Sequence, residues 1–146
     1  MYTCKRFPYI WAVYLLLEKD WEILLLKRQN TWYEDWNYWL PSWHMDGNET
    51  PREAMKREAK EEIGIDLETD NLELVTMMYR KKTDDERFDF FFVVDKRKWN
   101  ITNNEPNKCD DLNFFPLDKL PNNTIWYIKK SIHNRKNWII YDEIIL

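Results

Sequence analysis

Cysteine is rare in this chain, and its two residues are far apart. Cys4 and Cys109 form no CxxC pair, so the sequence indicates neither a zinc knuckle nor a disulfide framework. We therefore expect two reduced thiols and a cytoplasmic protein.

Long apolar runs are also missing. No stretch reaches the roughly 20 apolar residues that span a bilayer, so no membrane partner is expected. Lys5 and Arg6 followed by the apolar run 9–17 resemble the start of a signal peptide, but no small-residue cleavage site follows. We interpret this run as a buried strand.

An excess of positive charge is lacking as well. The formal net charge is -4 and the pI is about 5.3, which argues against a groove for polymeric nucleic acid, because such grooves neutralise many phosphates with Lys and Arg. A small phosphorylated ligand is still compatible with this charge if a metal ion supplies the positive charge. With 44% hydrophobic and 33% charged residues in 146, we expect one folded domain over residues 1–146 and one active site.

The order of apolar and polar segments predicts an α/β fold. Two neighbouring strands, 9–17 and 23–26, are expected to form a hairpin, and a polar, aromatic loop follows at 29–47. Further strands are predicted at 72–79, 88–94 and 138–145, with a loop at 96–111, a turn at 117–120 and a helix at 124–133. The run 88–94 is almost continuously apolar, which is typical of a strand buried on both faces.

The clearest helix is predicted over 51–63. Thr50 is suited to cap it, Pro51 fits its first turn, and Glu53 completes a capping box with Thr50. Gly64 stands where a left-handed C-terminal residue is needed.

Three glutamates share one face of this helix. Glu58, Glu61 and Glu62 are spaced by three and four residues, and they border the apolar stripe formed by Met55, Ala59 and Ile63. Carboxylates this crowded repel each other unless they share a hard cation, and Mg²⁺ is held by carboxylates, waters and substrate phosphates. The alternative is an acidic surface helix whose glutamates serve only helicity and solubility.

The segment 47–65 resembles the Nudix box, whose pattern is Gx5Ex7REUxEExGU with U a bulky apolar residue. Glu49 takes the first glutamate position, and Arg57-Glu58-Ala59-Lys60-Glu61-Glu62-Ile63-Gly64-Ile65 fills the remainder; Ala59 is smaller than the usual U residue. This resemblance implies a Nudix fold, with a mixed β-sheet between helices, and the diphosphate hydrolysis typical of that family.

The resemblance also implies roles for individual residues. Glu58, Glu61 and Glu62 would bind Mg²⁺, or Mn²⁺ in its place, and Glu58 or Glu61 would act as general base, while Arg57 would orient the loop and a box glutamate. Glu105 is a further metal-ligand candidate, the alternative being a solvated loop acid before Pro106. The substrate-phosphate candidates are Arg80 and Arg87, as fork-shaped donors; surface charge pairing is the alternative.

Glycine is scarce where the family needs it. The first glycine of the box corresponds to Trp43, and the chain holds only 2 Gly but 9 Trp, against about 10 Gly at ordinary usage. Asp20-Trp21, Asp35-Trp36 and Asn137-Trp138 stand where Asp-Gly or Asn-Gly would signal turns. Other tryptophans lie at positions that readily accept glycine: Trp11, Trp32, Trp39 and Trp99.

We therefore hypothesise that some or all of these tryptophans are glycines in the natural protein. The gene would come from a lineage that reads UGA as glycine, and the codons would have been translated with a table that reads UGA as tryptophan. The alternative is a genuine tryptophan-rich loop that stacks on a base. UGG codons at these positions would exclude the hypothesis.

The expected activity is Mg²⁺-dependent hydrolysis of a diphosphate linkage in a nucleoside triphosphate or another nucleoside diphosphate derivative. One alternative is a Nudix-like module that binds a nucleotide without turnover, although the retained glutamates disfavour it. Another is an isopentenyl diphosphate isomerase, whose required cysteine has no recognisable match in Cys4 or Cys109. The oligomeric state is left open, with a homodimer as one option.

Overall fold

The computed structural model describes residues 6–94 and 99–146, so Cys4 lies outside the described residues. Within them the chain forms nine strands and two α-helices, with a short 3₁₀ turn at Thr69–Asn71. In chain order they are β1 Ile10–Leu16, β2 Glu18–Lys19, β3 Glu22–Arg28, β4 Tyr38–Trp39, β5 Ser42–His44, α1 Pro51–Ile63, β6 Leu72–Lys82, β7 Asp85–Val94, β8 Cys109–Pro116, α2 Trp126–Lys136 and β9 Tyr141–Ile145.

The strands form two sheets. The five-stranded sheet has the order β5-β1-β7-β6-β9 and is mixed, because β1 runs parallel to β7 and β9 parallel to β6, whereas the other pairs are antiparallel. The smaller sheet is built on β3, which pairs with β2 and β4 along one edge and with β8 along the other. This arrangement is the mixed α/β architecture that the sequence predicted.

The two helices cover separate hydrophobic clusters. One cluster joins α1 to Val13 and Leu15 of β1 and to Phe92 of β7. The other joins α2 to Tyr14 and Leu16, the alternate residues of β1. Because successive strand residues point to opposite faces, β1 contributes to both clusters and lies between the helices.

The helix α1 has the predicted limits because its termini are defined by local contacts. The Thr50 side chain accepts a hydrogen bond from the Glu53 backbone, the Glu53 carboxylate accepts one from the Thr50 backbone, and Gly64 ends the helix with φ 72°. The stripe of Met55, Ala59 and Ile63 is buried, as expected.

The predicted hairpin between 9–17 and 23–26 forms only at its tip, where the Leu24 backbone N–H donates to the Leu17 carbonyl at 3.0 Å, and the predicted pairing of the rest of the first run is wrong. β1 pairs with β5 and β7 in the large sheet, whereas β3 forms its hairpin with the two-residue strand β2. The chain crosses between the sheets after Leu16, and the apolar pattern carries no information on which sheet a strand joins.

Two predicted loops contain strands. β4 and β5 lie inside the loop predicted at 29–47, and β8 begins inside the loop predicted at 96–111. β4 and β5 have two and three residues, which is too short for a periodic signal. β8 begins with the polar run Cys109-Asp110-Asp111 and is held by its pairing with β3.

Four tryptophans occupy left-handed backbone conformations. Trp21, Trp32, Trp36 and Trp138 have φ values of 65°, 64°, 70° and 58°. Three of them follow the Asp or Asn residues that marked expected turns, so those turn predictions are confirmed. Positive φ strains any residue that carries a Cβ, and this strain supports the hypothesis that glycine is the natural residue at these four positions.

The tryptophan at the first glycine position of the box differs from these four. Trp43 lies in β5, in register with Val13 of β1, and has no positive φ. Backbone strain therefore gives no reason for glycine at this position. The left-handed residues of the following loop are Gly47 and Asn48, with φ 85° and 57°.

Across the described ranges, no helix is both long and apolar enough to cross a bilayer.

Candidate functional site

The helix α1 places its three box glutamates at different depths. Glu58 is buried at 1% exposure, Glu62 is half-buried and Glu61 is exposed. One carboxylate oxygen of Glu62, Oε2, is buried and has no hydrogen-bond partner. The three residues therefore form a gradient from the protein interior to solvent along a single helix face.

Arg57 connects this face to the loop before the helix. Its guanidinium donates to both carboxylate oxygens of Glu49, from Nε at 3.2 Å and from Nη2 at 2.9 Å. Its Nη1 donates to Glu58 and lies 3.6 Å from the carboxylate of Glu61. Arg57 thus holds the loop and two box glutamates together, in agreement with the role that the resemblance implied.

A distant loop brings Glu105 to the end of the same helix. The backbone N–H groups of Thr102 and Asn104 donate to the carbonyls of Ile63 and Glu62 at 3.0 and 3.1 Å. The amide of Asn104 also donates to the Lys60 carbonyl at 3.3 Å. These bonds use carbonyls at the C-terminal end of the helix, and they fix the 102–105 segment beside the box glutamates.

The same loop is attached to the segment after β3. The side-chain amide of Gln29 donates to the Pro106 carbonyl at 2.7 Å, and that of Asn30 donates to the Asn107 carbonyl at 2.9 Å. The Glu105 carboxylate lies 3.1 Å from Lys108 Nζ. Glu105 is therefore held by contacts on both sides, unlike an acid on a freely solvated loop.

The acidic cluster perturbs the pKa values of its members. Burial raises the pKa of Glu62 to about 8, and the neighbouring charges of Glu58 and Glu105 act in the same direction. Burial also raises the pKa of Glu58 to about 7, although Arg57 opposes the shift. The pKa of Glu49 is lowered by its hydrogen bonds with Arg57. The site thus disfavours negative charge on Glu58 and Glu62 unless a cation compensates it.

A cavity of about 790 Å³ opens beside these residues. Glu62 and Glu105 line it on one side. It also receives cationic and aromatic side chains from other elements, namely Arg28, Tyr33, His44, Arg87 and Lys108. A cavity with carboxylates, cations and aromatic rings has the size and chemistry to bind a phosphorylated small molecule.

The carboxylates have the chemistry of metal ligands, although their side chains do not converge on one point. In the described part of the chain, no group of three or more His, Cys, Asp or Glu side chains stands ready to hold a metal ion. Glu58 instead contacts Arg57, and Glu105 contacts Lys108. The unpaired, buried Oε2 of Glu62 is the atom that fits a cation best, because a buried carboxylate oxygen without a partner is costly.

Arg80 does not reach this cavity, and the expectation that it contacts substrate phosphate does not hold. Its side chain is 1% exposed, forms an ion pair with buried Asp89 and lies over the ring of Tyr127 at 3.6 Å. It donates a longer hydrogen bond to the Tyr14 hydroxyl at 3.3 Å. Because alternate residues of β6 face the core, the Arg80 side chain is buried there, and a buried charge requires an ionic partner such as Asp89.

Arg87 does line the cavity. Its guanidinium pairs with Asp85, two residues earlier in β7, and its side chain is 15% exposed. One edge of the guanidinium is therefore occupied by a carboxylate, but the side chain still contributes to the cavity wall.

Several cavity residues had no signal in the sequence. Arg28 donates to the Tyr33 carbonyl at 2.9 Å and to Thr31 Oγ1 at 2.9 Å, so the 28–33 loop holds its guanidinium in place. His44 lies at the end of β5, where burial lowers its pKa. Neither residue belongs to a local pattern, because the fold brings them together from separate loops.

Comparison with known proteins is consistent with this geometry. A family model described as NUDIX domain matches residues 7–135. The crystal structure of a MutT NUDIX hydrolase from Burkholderia pseudomallei is similar, with 22% identity, a TM-score of 0.77 and coverage of 87% of this chain and 98% of that one. The MutT protein from Methanosarcina mazei Go1 has 20% identity and a TM-score of 0.76 over 89% and 94% of the two chains.

A third similar structure contains a ligand. The NUDIX domain of NrtR from Shewanella oneidensis, crystallised with ADP ribose, has 12% identity and a TM-score of 0.72, covering 94% of this chain and 92% of that one. At these identities the structural likenesses concern the fold.

Proposed function

Since the chain belongs to the Nudix family and is a Nudix-type hydrolase, we propose that it hydrolyses a diphosphate linkage in a nucleoside triphosphate or another nucleoside diphosphate derivative, with Mg²⁺ as its metal. The observation that carries this proposal is the buried, unpartnered Oε2 of Glu62. It lies in a helix that presents two further box glutamates and borders a cavity of about 790 Å³.

The proposed metal ligands are Glu58, Glu61, Glu62 and Glu105. When bound, Mg²⁺ would neutralise charge on the diphosphate and lower the pKa of a water molecule. Carboxylate oxygens are the ligands that this ion prefers. Mn²⁺ accepts the same ligand types and is the expected substitute.

The protein's own groups would position and deprotonate the attacking water. Either Glu58 or Glu61 is proposed as the general base that accepts the water's proton. Arg57 limits the freedom of both, since its Nη1 contacts the two carboxylates, and its bidentate pairing with Glu49 keeps it in place. Arg57 is thus a positioning residue in this proposal.

The rest of the cavity would bind the remainder of the nucleotide. The Arg28, Arg87 and Lys108 cations are suited to phosphate oxygens, and the ring of Tyr33 offers a surface on which a base can stack. The bound ADP ribose in the NrtR domain is a nucleoside diphosphate derivative and supports this substrate class for the present chain.

The direct test is a screen of the purified protein against nucleoside triphosphates, nucleoside diphosphate sugars and dinucleoside polyphosphates in the presence of Mg²⁺. We expect phosphate or pyrophosphate release, or cleavage to a nucleoside monophosphate, from at least one class. The activity should disappear with EDTA and return with Mg²⁺ or Mn²⁺. Saturable nucleotide binding without cleavage would support the binding module instead.

Replacing Arg87 with alanine is expected to weaken substrate binding. Loss of one charge-assisted contact to phosphate corresponds to about 1.5–3 kcal/mol, or a rise in KM of roughly 10- to 150-fold, with a smaller change in kcat. The measurement is steady-state kinetics on the best substrate of the screen.

The matched control for this variant is Arg135→Ala. Arg135 lies in α2, is paired with Glu18 and does not line the cavity that Arg87 lines. Its KM should stay at the wild-type value. Equal KM values for the two variants would remove Arg87 from the proposed site.

A further inference from the structure

One face of the five-stranded sheet is only half covered. Val13 and Leu15 lie on this face and are fully buried beneath α1. Trp11, two residues before Val13 on the same face, is 41% exposed. The helix therefore protects one half of the face and leaves the other half open.

The open half carries aromatic and aliphatic side chains across four adjacent strands. We call it the aromatic face, and it comprises Tyr9, Trp11, Tyr79, Phe88, Tyr141 and Ile145. Phe88 is at its centre, with ring centroids of Trp11, Tyr79 and Tyr9 at 4.9, 5.2 and 5.4 Å. The register places Trp11 and Tyr79 on either side of Phe88, so the rings form a continuous surface.

In a sheet with one face in contact with water, the residues on that face are normally polar. The run 88–94 of β7, apolar except for Asp89, is typical of a strand covered on both faces, yet Phe88 and Phe90 are only half-buried. Apolar patches of this extent, here interrupted by Glu143 beside Tyr79, are uncommon on monomers. The sequence and the structure together thus require a cover that a single copy of the described chain does not supply.

We propose that a second copy of this chain covers the aromatic face, with the two five-stranded sheets packed face to face about a twofold axis. Tyr9, Trp11, Tyr141 and Ile145 are 40%, 41%, 48% and 73% exposed. With roughly 200 Å² for each aromatic side chain, the face together with its half-buried neighbours offers on the order of 600–700 Å². That area approaches the ~800 Å² per partner of a standard interface.

Charged residues within the face and at its edge favour a copy of the same chain over a partner with a strong charge of one sign, and Glu143 lies between Tyr141 and Ile145, beside Tyr79. Lys81 lies 3.4 Å from Glu86, and Glu143 accepts a hydrogen bond from the Tyr141 hydroxyl at 3.0 Å. Charges of both signs are therefore present. In a twofold interface, every contact between a residue of one copy and a residue of the other occurs twice, with the roles of the two copies exchanged. If Trp11 is glycine in the natural protein, the rings of Phe88 and Phe90 become more accessible and the face keeps its character.

The test is the mass of the intact protein in solution, measured by size-exclusion chromatography with light scattering over a micromolar concentration series. We expect twice the chain mass of 18.2 kDa at the upper end. The double variant Tyr141→Lys/Ile145→Lys should raise the dimer dissociation constant by about 30-fold or more. A monomeric wild type throughout the series, or a double variant that dimerises normally, would overturn the proposal.

Trp126→Lys is the matched control, because Trp126 is 44% exposed but belongs to α2, which packs on the opposite side of the sheet. It should dimerise like the wild type. Circular dichroism checks the fold of each variant, and Ile145→Lys alone serves if the double variant unfolds.

Hydrogen exchange provides a second measurement that needs no variant. Amide protection in 141–145 should increase with protein concentration if a second copy is the cover. Protection that does not change with concentration would contradict the dimer.

Discussion

Replacing Glu62 with glutamine is expected to abolish turnover in Mg²⁺ while leaving the fold intact. Glutamine has the same shape but offers one neutral oxygen in place of the carboxylate, so the proposed site loses a charged ligand. Removing even an outer-shell partner of a metal typically costs 10- to 100-fold in affinity or activity. For a direct ligand we expect a loss of at least about 100-fold, measured as phosphate release.

The fold of this variant should not be weakened. The Oε2 atom of Glu62 has no hydrogen-bond partner, and burial raises the pKa of this carboxyl to about 8, so no stabilising contact of that atom is lost. Thermal unfolding without metal should therefore give a Tm equal to or above that of the wild type. A lower Tm would show that Glu62 has a structural contact that the proposal does not include.

A control variant that removes one negative charge outside the cavity distinguishes the effect of losing the proposed metal ligand from the effect of changing the net charge. Glu73→Gln alters an exposed residue of β6 that does not line the cavity. It should keep wild-type turnover and Mg²⁺ affinity, whereas Glu62→Gln should lose both in calorimetric titration. Undiminished turnover in Glu62→Gln would contradict the proposed metal site, even if the family assignment stands.

Restoring glycine at the four left-handed tryptophans is expected to stabilise the protein. A side chain in the left-handed region costs roughly 1–2 kcal/mol, and the entropy of glycine in the unfolded chain returns about 0.5–1 kcal/mol of this. Trp21, Trp32 and Trp138 are 80% or more exposed, and Trp36 is 59% exposed, so little burial is lost. The net gain should be about 0.5–1 kcal/mol per site, or about 2–4 kcal/mol for the fourfold variant.

The measurement is urea denaturation of the wild type, the four single variants and the fourfold variant. The changes in the free energy of unfolding of the four single variants should sum to the change in the fourfold variant, because separate turns share few contacts. No gain, or a loss, in the fourfold variant would remove the physical support for natural glycines at these positions. The codons provide an independent test, since UGG at all four positions would exclude the reassignment.

Trp39→Gly is the matched control because Trp39 lacks positive φ and is buried. It is 5% exposed and contacts the ring of Tyr127 with a centroid distance of 5.3 Å. The Arg28 guanidinium lies 4.5 Å from its ring. Removing this ring should destabilise the protein by roughly 3–5 kcal/mol. Opposite signs for Trp39→Gly and the turn variants would show that backbone strain, and not the loss of tryptophan as such, produces the gain.

The structure also separates two kinds of tryptophan that composition alone treated alike. Trp21 and Trp138 follow Asp20 and Asn137 in turns, where local sequence was informative because the backbone requirement is confined to a few residues. Trp11 and Trp43 lie in strands without positive φ, so backbone strain does not distinguish them from ordinary strand residues.

The local features of the site could be predicted from the amino-acid sequence. The limits of α1 follow from the caps at Thr50 and Gly64, and the common face of its glutamates follows from helical spacing. The resemblance to the box implied that Arg57 orients the loop and a box glutamate, and its contact with Glu49 fits that role. These features involve residues at most eight positions apart, and their geometry is set within one loop and one helix.

Long-range features were decided by the packing of the whole chain. The pairing of β3 with β8 and the crossing between sheets after β1 depend on contacts between distant segments, which a strand's own residues do not encode. Arg80 is buried whereas Arg87 lines the cavity, and this contrast also depends on distant contacts. Only the assembled sheet and α2 determine which of the two side chains is covered. Glu105 and Arg28 likewise meet the cavity through loops that backbone hydrogen bonds and packing position in three dimensions.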